Sequence, residues 1–409
     1  MNKLANYPAM QLSDKVNAIP EALSVYMNNI VYAMKRRGDK IKVLSLGEAF
    51  FDIPMFPLDD IDFKKGYHYS ESRGLPELRK VVSGYYSEKY NAPVNPDDEI
   101  IISAGSKPLI YMAFQAVLNP GDEVLIPEPA WLSYPEEIKL ANGVPKFIPY
   151  DCPVEDFGKY FTEKTKMVII CNPNNPAGRI YTKAEMEKLY SICRPKGIYI
   201  LADEAYSDFV IDGKFTSMVN VVPDKDGIIV VNSLSKNLGI SGWRLGYAIA
   251  APKVIYNILK LNQHLITCPA TLLAMYVAHY FKDIISITLP QAEAVVRKRA
   301  EVVDFMQKIG LEPFEGSATF YIFVNIGNYK KSSMDLGLYL LMKYGISVVP
   351  GTAYGQSTER FIRIGVGAES VETIKECLEI IKRVIENNEY DDSFVESELK
   401  SLGFNRFVR

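Results

Sequence analysis

The sequence is poor in the residues from which metal sites and disulfide frameworks are built. Its 409 residues include only five cysteines and three histidines. The cysteines are scattered without a C-x-x-C pair, which favours reduced thiols over disulfide bonds. His68, His264 and His279 do not share zinc-ligand spacing with any other candidate ligand. We therefore expect no metal centre and no disulfide framework.

The chain also lacks a strong excess of charge and a long hydrophobic run. Its formal net charge of −3 gives no electrostatic signature of nucleic-acid or anionic-membrane binding. Apolar runs such as Ile198–Ala202 and Ile228–Val231 have the length of a strand, not of a membrane span. Residues Met1–Pro8 lack the apolar core of a signal peptide. These features predict a cytoplasmic protein with neither a nucleic-acid nor a membrane partner.

Short apolar runs alternate with helical patterns from about residue 75 onward. The predicted strands of this region are Glu99–Ala104, Glu123–Ile126, Met167–Cys171, Ile198–Ala202 and Ile228–Val231. Strands that alternate with helices imply crossover connections, so we expect an α/β fold with a mostly parallel sheet flanked by helices.

The C-terminal part has a different pattern. Its predicted strands are Phe320–Asn325, Ile346–Val349 and Phe361–Ile364, with a helix over Val371–Ile385. A chain of this length divides into about two domains. We predict a large domain of residues 46–289 and a smaller α+β domain of residues 1–45 and 290–409. For the tail, residues 386–409, a solvated extension is favoured over a packed amphipathic helix.

Unusual polar residues follow the predicted strands. They are Gly105, Ser106 and Lys107 after the first strand, Asn175 after the third, Asp203 and Tyr206 after the fourth, and Ser233, Ser235 and Lys236 after the fifth. In open α/β sheets, ligands bind outside the carboxyl ends of the strands. A lysine at the end of a buried strand needs a charge partner or a covalent use. Hydroxyls and Arg244 around Lys236 suit an amine that bonds to a carbonyl beside a bound phosphate, as pyridoxal phosphate requires.

In their order, these segments resemble the class I/II aminotransferases, which are pyridoxal-phosphate-dependent enzymes of fold type I similar to aspartate aminotransferase. The resemblance runs from about Val43 to Ile385. It rests on Leu46-Gly47-Glu48, Tyr69 with Gly74-Leu75-Pro76-Glu77-Leu78-Arg79, Asn175-Pro176-Ala177-Gly178, Asp203-Glu204-Ala205-Tyr206, Ser233-Leu234-Ser235-Lys236, Gly242-Trp243-Arg244-Leu245-Gly246-Tyr247, Pro350-Gly351-Thr352 and Arg363. It implies a large domain with a mostly parallel sheet and a smaller α+β domain.

The resemblance also implies a role for each site residue. Lys236 would hold the cofactor as a Schiff base and move the substrate proton. Asp203 would pair with the pyridinium nitrogen, Asn175 and Tyr206 would bind the phenolic oxygen, and Trp131 would stack on the ring. The phosphate would be bound by Gly105, Ser106, Lys107, Ser233, Ser235 and Arg244. Tyr69 would reach it from the neighbouring subunit of a homodimer, and Gly47, Asn175 and Arg363 would bind the substrate, with Arg363 on its α-carboxylate.

The implied activity is transfer of an amino group from an L-amino acid to a 2-oxo acid by a ping-pong mechanism. A β-lyase, cyclase or oxidase on the same fold remains an alternative, because the cofactor residues do not separate these reactions. A non-catalytic regulator that binds the cofactor is a further alternative. The S-x-x-K motif at Ser233 also matches penicillin-binding proteins, but the chain lacks their S-D-N and K-T-G partner motifs, so this interpretation fails. The sequence does not indicate the amino donor, the acceptor or the pathway.

Overall fold

The computed structural model describes residues 10–211 and 215–407. The strands are β1 Lys42–Val43, β2 Ile100–Ser103, β3 Glu123–Pro127, β4 Val144–Ile148, β5 Thr165–Cys171, β6 Tyr199–Asp203, β7 Ile228–Ser233, β8 Gly246–Ala250, β9 Glu312–Pro313, β10 Tyr321–Asn325, β11 Ile346–Ser347, β12 Val349–Pro350 and β13 Phe361–Gly365. The α-helices are α1 Asp14–Asn17, α2 Leu23–Arg37, α3 Pro76–Tyr90, α4 Ser106–Val117, α5 Tyr134–Leu140, α6 Lys183–Cys193, α7 Met218–Val221, α8 Leu234–Asn237, α9 Pro252–Leu265, α10 Thr271–Lys308, α11 Ser333–Tyr344, α12 Val371–Glu386 and α13 Asp392–Ser401.

A seven-stranded sheet carries the site. Its strand order is β2-β8-β7-β6-β5-β3-β4, and only β8 is antiparallel to its neighbours. Successive residues of a strand face opposite sides of the sheet. Ile200 and Val230 pack into the core on one side, while Leu201, Ile229 and Val231 pack into the core on the other. Burial on both faces explains why these strands are continuous apolar runs, and the predicted mostly parallel sheet is confirmed.

Two strands of this sheet are absent from the predicted set. The edge strand β4 carries Pro145 and Lys146, and part of it is exposed to solvent, so it gives no apolar run. Proline is tolerated at such an edge. Strand β8 is rich in glycine and alanine, which have low strand propensity. Its position between β2 and β7 depends on tertiary contacts that a local pattern does not contain.

The C-terminal segment forms the predicted α+β structure. A four-stranded antiparallel sheet has the order β12-β13-β10-β9. The short strand β1 pairs in parallel with β11, so residues near the N-terminus lie beside this segment. Helix α10 continues through Pro290 without a break, across the predicted domain boundary. The division into two domains therefore stays a prediction.

Helix α10 corrects another expectation. By length and composition alone it could cross a membrane, although no run of that length is expected from the sequence. Lys282 and Asp283 divide its apolar residues, which hides the run. Of the most apolar stretch of this helix, 44% is buried inside the protein. Core helices of ordinary globular proteins can be equally long and apolar, so α10 is weak evidence for a membrane span.

The expectation of a solvated tail is wrong. Helix α13 begins after Asp391, whose side chain accepts a hydrogen bond from the Phe394 N–H at 3.0 Å. Val395 and Leu399 are one helical turn apart and are fully buried in the core. The charged residues between them conceal this apolar face in the sequence.

Candidate active site

A cavity of about 310 Å³ lies at the carboxyl ends of β5, β6 and β7. All predicted site residues except Gly105 and Tyr69 line it. They are Gly47, Ser106, Lys107, Trp131, Asn175, Asp203, Tyr206, Ser233, Ser235, Lys236, Arg244 and Arg363. The cavity is also lined by Ser24, Asn28, Ser45, Leu132, Cys171, Ala205, Ser241 and Tyr321, which are not among the predicted site residues.

Lys236 lies in α8, the short helix that follows β7. The Ser233 hydroxyl caps this helix by accepting a hydrogen bond from the Ser235 N–H at 3.1 Å. The Lys236 ammonium donates to the carbonyl oxygen of Gly47 at 2.6 Å. Burial lowers the pKa of Lys236 to about 8, and the nearby guanidinium groups of Arg363 and Arg244 act in the same direction. A useful fraction of the amine is therefore neutral near pH 7, as a nucleophile requires.

Asp203 is the last residue of β6 and is buried. Its carboxylate accepts hydrogen bonds from the Tyr134 hydroxyl at 2.6 Å and from the Ala205 N–H at 3.1 Å. Burial raises the pKa of Asp203, while these hydrogen bonds and the charge of Lys236 lower it. A buried carboxylate is stabilised by a cationic partner, so this group fits a protonated ring nitrogen.

Tyr134 is a site residue that the sequence prediction missed. It begins α5, and its ring packs edge-on against Trp131 with the ring centroids 5.2 Å apart. The chain has 26 tyrosines, and one tyrosine near a helix start carries no sequence signal of its own. Its hydroxyl position relative to Asp203 depends on how α5 packs against the sheet.

A row of hydrogen bonds connects Asn175, Tyr206 and Tyr321. The Asn175 amide donates to the Tyr206 hydroxyl at 3.4 Å, and the Tyr206 and Tyr321 hydroxyls are 3.0 Å apart. Burial raises the pKa of Tyr206 well above its ordinary value, so the phenol keeps its proton. It can donate that proton to an anionic oxygen of a ligand. Tyr321, like Tyr134, is not among the predicted site residues.

Arg363 extends from β13 into the cavity and is 4% exposed. It donates to the Asn175 side-chain oxygen at 3.2 Å and to the Ser45 carbonyl at 2.7 Å. Its guanidinium also lies over the rings of Tyr321 and Tyr354, at 4.3 and 5.3 Å. These contacts are with neutral groups, and the Arg363 Nε atom has no partner. A buried guanidinium with a spare N–H suits a carboxylate ligand.

The N-terminus of α4 and Arg244 lie close together and offer hydrogen-bond donors suited to an anion. Helix α4 has no side-chain cap at Gly105, which leaves its first N–H groups available. A Cβ atom on Gly105 would lie 2.6 Å from the Arg244 guanidinium. Gly105 therefore acts by leaving room for Arg244 and does not itself line the cavity. Arg244 contacts the Ser235 hydroxyl at 3.5 Å and the Ser241 carbonyl at 2.8 Å.

Lys107 and Tyr69 differ from their simplest expected positions. The Lys107 ammonium lies 4.9 Å from the centre of the Trp131 ring, a cation–π contact. The predicted phosphate contact of Lys107 would therefore come from its backbone N–H and not from its side chain. Tyr69 is 85% exposed and lines a separate cavity of about 580 Å³ with His279. Its predicted role needs a second subunit and stays a prediction.

The residues of the cavity fit pyridoxal phosphate part by part. Lys236 would supply the amine, Asp203 the carboxylate for a protonated ring nitrogen, and Tyr206 with Asn175 the donors for a phenolic oxygen. The α4 N-terminus with Arg244 would hold the phosphate. This donor set, at the carboxyl ends of a mostly parallel sheet, defines the class of pyridoxal-phosphate enzymes with fold type I.

Comparisons with known proteins identify the family. The family model described as aminotransferase class I and II matches residues 58–381. The chain therefore belongs to the class I and II aminotransferases and is a pyridoxal-phosphate-dependent enzyme.

Named relatives act on different substrates. The chain is 31% identical to a probable aspartate/prephenate aminotransferase of Aquifex aeolicus, over 92% of this chain and 98% of the relative. It is 32% identical to a (5-formylfuran-3-yl)methyl phosphate transaminase of Methanocaldococcus jannaschii, over 86% of this chain and 93% of the relative. The Thermus thermophilus aspartate aminotransferase with maleate superposes with a TM-score of 0.83 at 26% identity, covering 92% of this chain and all of that one (100%).

Proposed function

We propose that this aminotransferase moves an amino group from an L-amino acid to a 2-oxo acid by a ping-pong cycle, with the cofactor held as a Schiff base on Lys236. The observation that carries the proposal is Lys236 itself. It is a buried amine with a pKa of about 8 that shares one cavity with Asp203 and Arg363. The bound cofactor supplies an electron-accepting ring. The side chains transfer the proton, keep the ring nitrogen protonated and bind the substrate carboxylate.

Each side chain then has a defined task. Once the substrate amine has replaced it, the neutral Nζ of Lys236 would take the proton from the substrate Cα and deliver it to C4′ of the cofactor, and the second half-reaction would reverse this transfer. A pKa near neutrality suits this general acid–base role. The Asp203 carboxylate keeps a proton on the ring nitrogen. Tyr134 holds Asp203 in place through its hydrogen bond of 2.6 Å.

The ping-pong order agrees with a single carboxylate site. Donor and acceptor both carry an α-carboxylate, and Arg363 is the buried guanidinium at this end of the cavity. The two substrates therefore occupy the same position in turn. Of the other cations that line the cavity, Lys236 holds the cofactor in this proposal, Arg244 bonds Ser235, and Lys107 lies over Trp131.

We further propose a homodimer in the cytoplasm. The segment around Tyr69 exposes Phe63, Tyr67 and Tyr69 at 40, 74 and 85%. Clustered exposed aromatic rings are typical of protein interfaces. All five cysteines are free, which is consistent with a reducing compartment.

The test is steady-state kinetics with donor and acceptor varied together, while ammonia and oxygen are followed. Parallel double-reciprocal lines with one 2-oxo acid formed per acceptor consumed support the proposal. Acceptor-independent release of ammonia would favour a lyase, and oxygen consumption would favour an oxidase. A protein that binds the cofactor but turns over no amino acid would favour a regulator.

A further inference from the structure

Helix α2 lines the active-site cavity, although it lies outside the stretch matched by the family model. Ser24 and Asn28 are four residues apart, on one face of the helix, and both line the cavity. The Asn28 side-chain oxygen accepts a hydrogen bond from the Ser45 hydroxyl at 3.1 Å. The Ser45 carbonyl in turn accepts from Arg363 at 2.7 Å. The position of α2 is therefore linked to the guanidinium that binds the substrate carboxylate in the proposed function.

The same helix is held by the last part of the chain. Tyr26 lies between Ser24 and Asn28 in sequence and is buried. Its hydroxyl donates to the Asn405 carbonyl at 2.7 Å. Its ring packs against Phe404 and Phe407, with centroid distances of 6.1 and 5.2 Å. One short helix thus contacts the cavity on one face and the tail on another.

Besides its contacts with α2, which include an ion pair between Arg37 and Glu398 at 3.0 Å, the tail has anchors elsewhere in the protein. Val395 and Leu399 of α13 are buried in the core, and Arg406 forms ion pairs with Asp335 at 2.6 Å and Asp392 at 3.1 Å. Asp335 belongs to α11, so Arg406 fixes the tail to a helix of the α+β structure that lies outside the tail itself. An element fixed in this way can hold α2 in place.

Phe407 also brings the tail close to the site. It lines a small chamber of about 160 Å³ together with Leu23, Ala353 and Leu132. Leu132 lines the active-site cavity as well, next to Trp131. The chamber that Phe407 lines therefore shares one lining residue, Leu132, with the active-site cavity.

We propose that the C-terminal segment, residues 387–407, is a positioning element for the substrate. Through Tyr26, Phe404 and Phe407 it fixes α2 so that Ser24 and Asn28 support the carboxylate end of the cavity around Ser45 and Arg363. The proposal rests on the proposed function in that Arg363 binds the substrate carboxylate. It predicts that the tail controls substrate affinity and leaves cofactor affinity unchanged, since none of its contacts reaches Lys236, Asp203 or Arg244.

The experiment compares four variants of the cofactor-loaded full chain. Phe407→Ala removes the ring beside Tyr26, in the chamber that Leu132 also lines, and Phe407→Leu restores apolar volume. Tyr26→Phe removes only the hydroxyl that bonds the Asn405 carbonyl. Because this change is small, the variant still tests the proposal if Phe407→Ala does not fold. Lys400→Ala, at an exposed position of α13, is the control.

We expect Phe407→Ala to raise the KM of donor and acceptor about 5- to 20-fold and to change kcat less than about twofold. Phe407→Leu should recover most of this loss, Tyr26→Phe should show a smaller increase in KM, and Lys400→Ala should behave as wild type. Cofactor affinity should be equal in all four variants. A lowered Tm with unchanged KM would overturn the proposal, because the tail would then only stabilise the fold. Equal losses of cofactor and substrate affinity would also overturn it.

Hydrogen exchange of α2 separates this proposal from the proposed function. In Phe407→Ala, but not in Lys400→Ala, the backbone amides of α2 should exchange faster, and calorimetric affinity for pyruvate and 2-oxoglutarate should fall. If no amino acid is turned over, the proposed function fails, while these two readouts still decide the role of the tail. Unchanged exchange in α2 would contradict the positioning role whatever the activity.

Discussion

A few buried side chains set the chemistry of the site through their proton affinity. Burial lowers the pKa of Lys236 and raises that of Asp203, because both charged forms lose contact with water. Each charge partly offsets this effect on the other. The result is an amine that is reactive near neutrality beside a carboxylate held by Tyr134.

The pKa of Lys236 leads to a pH prediction. The rate at which the apo-protein attaches pyridoxal phosphate should rise with pH and level off above about 8, because only the neutral amine attacks. Below that value, each pH unit should lower the rate about tenfold. Stopped-flow absorbance of the bound cofactor measures it. N-acetyl-lysine methylamide in solution is the reference, and its rate should keep rising toward pH 10. If the rate for the protein also keeps rising to pH 10, the lowered pKa of Lys236 would be refuted.

Arg363 gives the second prediction. Arg363→Lys keeps the charge but loses the planar pair of donors that matches a carboxylate. We expect the KM of both substrates to rise about 10- to 100-fold, the range for a lost charge-assisted hydrogen bond. Cofactor affinity, measured by fluorescence titration, should change less than about threefold. If cofactor and substrate affinity fall together, the role of Arg363 is structural.

Most of the cavity lining was predictable from the sequence because it follows strand ends and ordered motifs. Asn175, Asp203 and Lys236 each end a buried strand or follow one closely, so topology alone brings them together. Tyr134 and Tyr321 were not predictable, because a tyrosine that packs in a core looks the same in sequence. Ser24 and Asn28 come from a helix whose relation to the site depends on distant packing.

Secondary-structure elements were predicted where their signal was local. The apolar runs of β5, β6 and β7 were predictable. Strand β8 and helix α13 were not, because β8 has little strand propensity and the apolar face of α13 is interrupted by charges. Tertiary contacts decide both elements.

The start of α4 gives the third prediction, with a matched control. Gly105 and Gly121 have positive φ angles of +97° and +88°, so alanine strains the backbone at either position. Only at Gly105 would the new Cβ meet Arg244, whereas nothing lies within 4 Å at Gly121. Both alanine variants should lose on the order of 1–3 kcal/mol of stability.

Cofactor affinity should separate the two glycine variants. Gly105→Ala should weaken it about tenfold by displacing the guanidinium from the anion site. Gly121→Ala should leave it unchanged. Denaturation and cofactor titration of both variants provide the measurements. A similar loss of affinity in Gly121→Ala would show that backbone strain alone is responsible.

The whole molecule is proposed to be a dimer with shared sites, and this is the fourth prediction. In a two-fold symmetric dimer each site would combine Lys236 of one subunit with Tyr69 of the other. Tyr69→Ala and Lys236→Ala should each be nearly inactive alone. Co-expressed, they should form mixed dimers with one intact site, giving about a quarter of wild-type activity for random pairing.

Self-paired dimers of each variant, prepared in the same way, are the controls. Activity of the mixture equal to the mean of the two controls would mean that each site is complete within one chain. Sedimentation of the wild-type protein shows whether it is dimeric at the concentrations used.

The most direct test of the central claim is a single half-reaction. Cofactor-loaded protein is mixed with each member of a panel of amino acids without any acceptor, and the cofactor absorbance and the 2-oxo acid are measured. We predict a stable spectral change and about one 2-oxo acid per site for the true donor, with neither in Lys236→Ala. A spectrum that returns to its starting form while ammonia or peroxide accumulates, or turnover that survives in Lys236→Ala, would contradict the account.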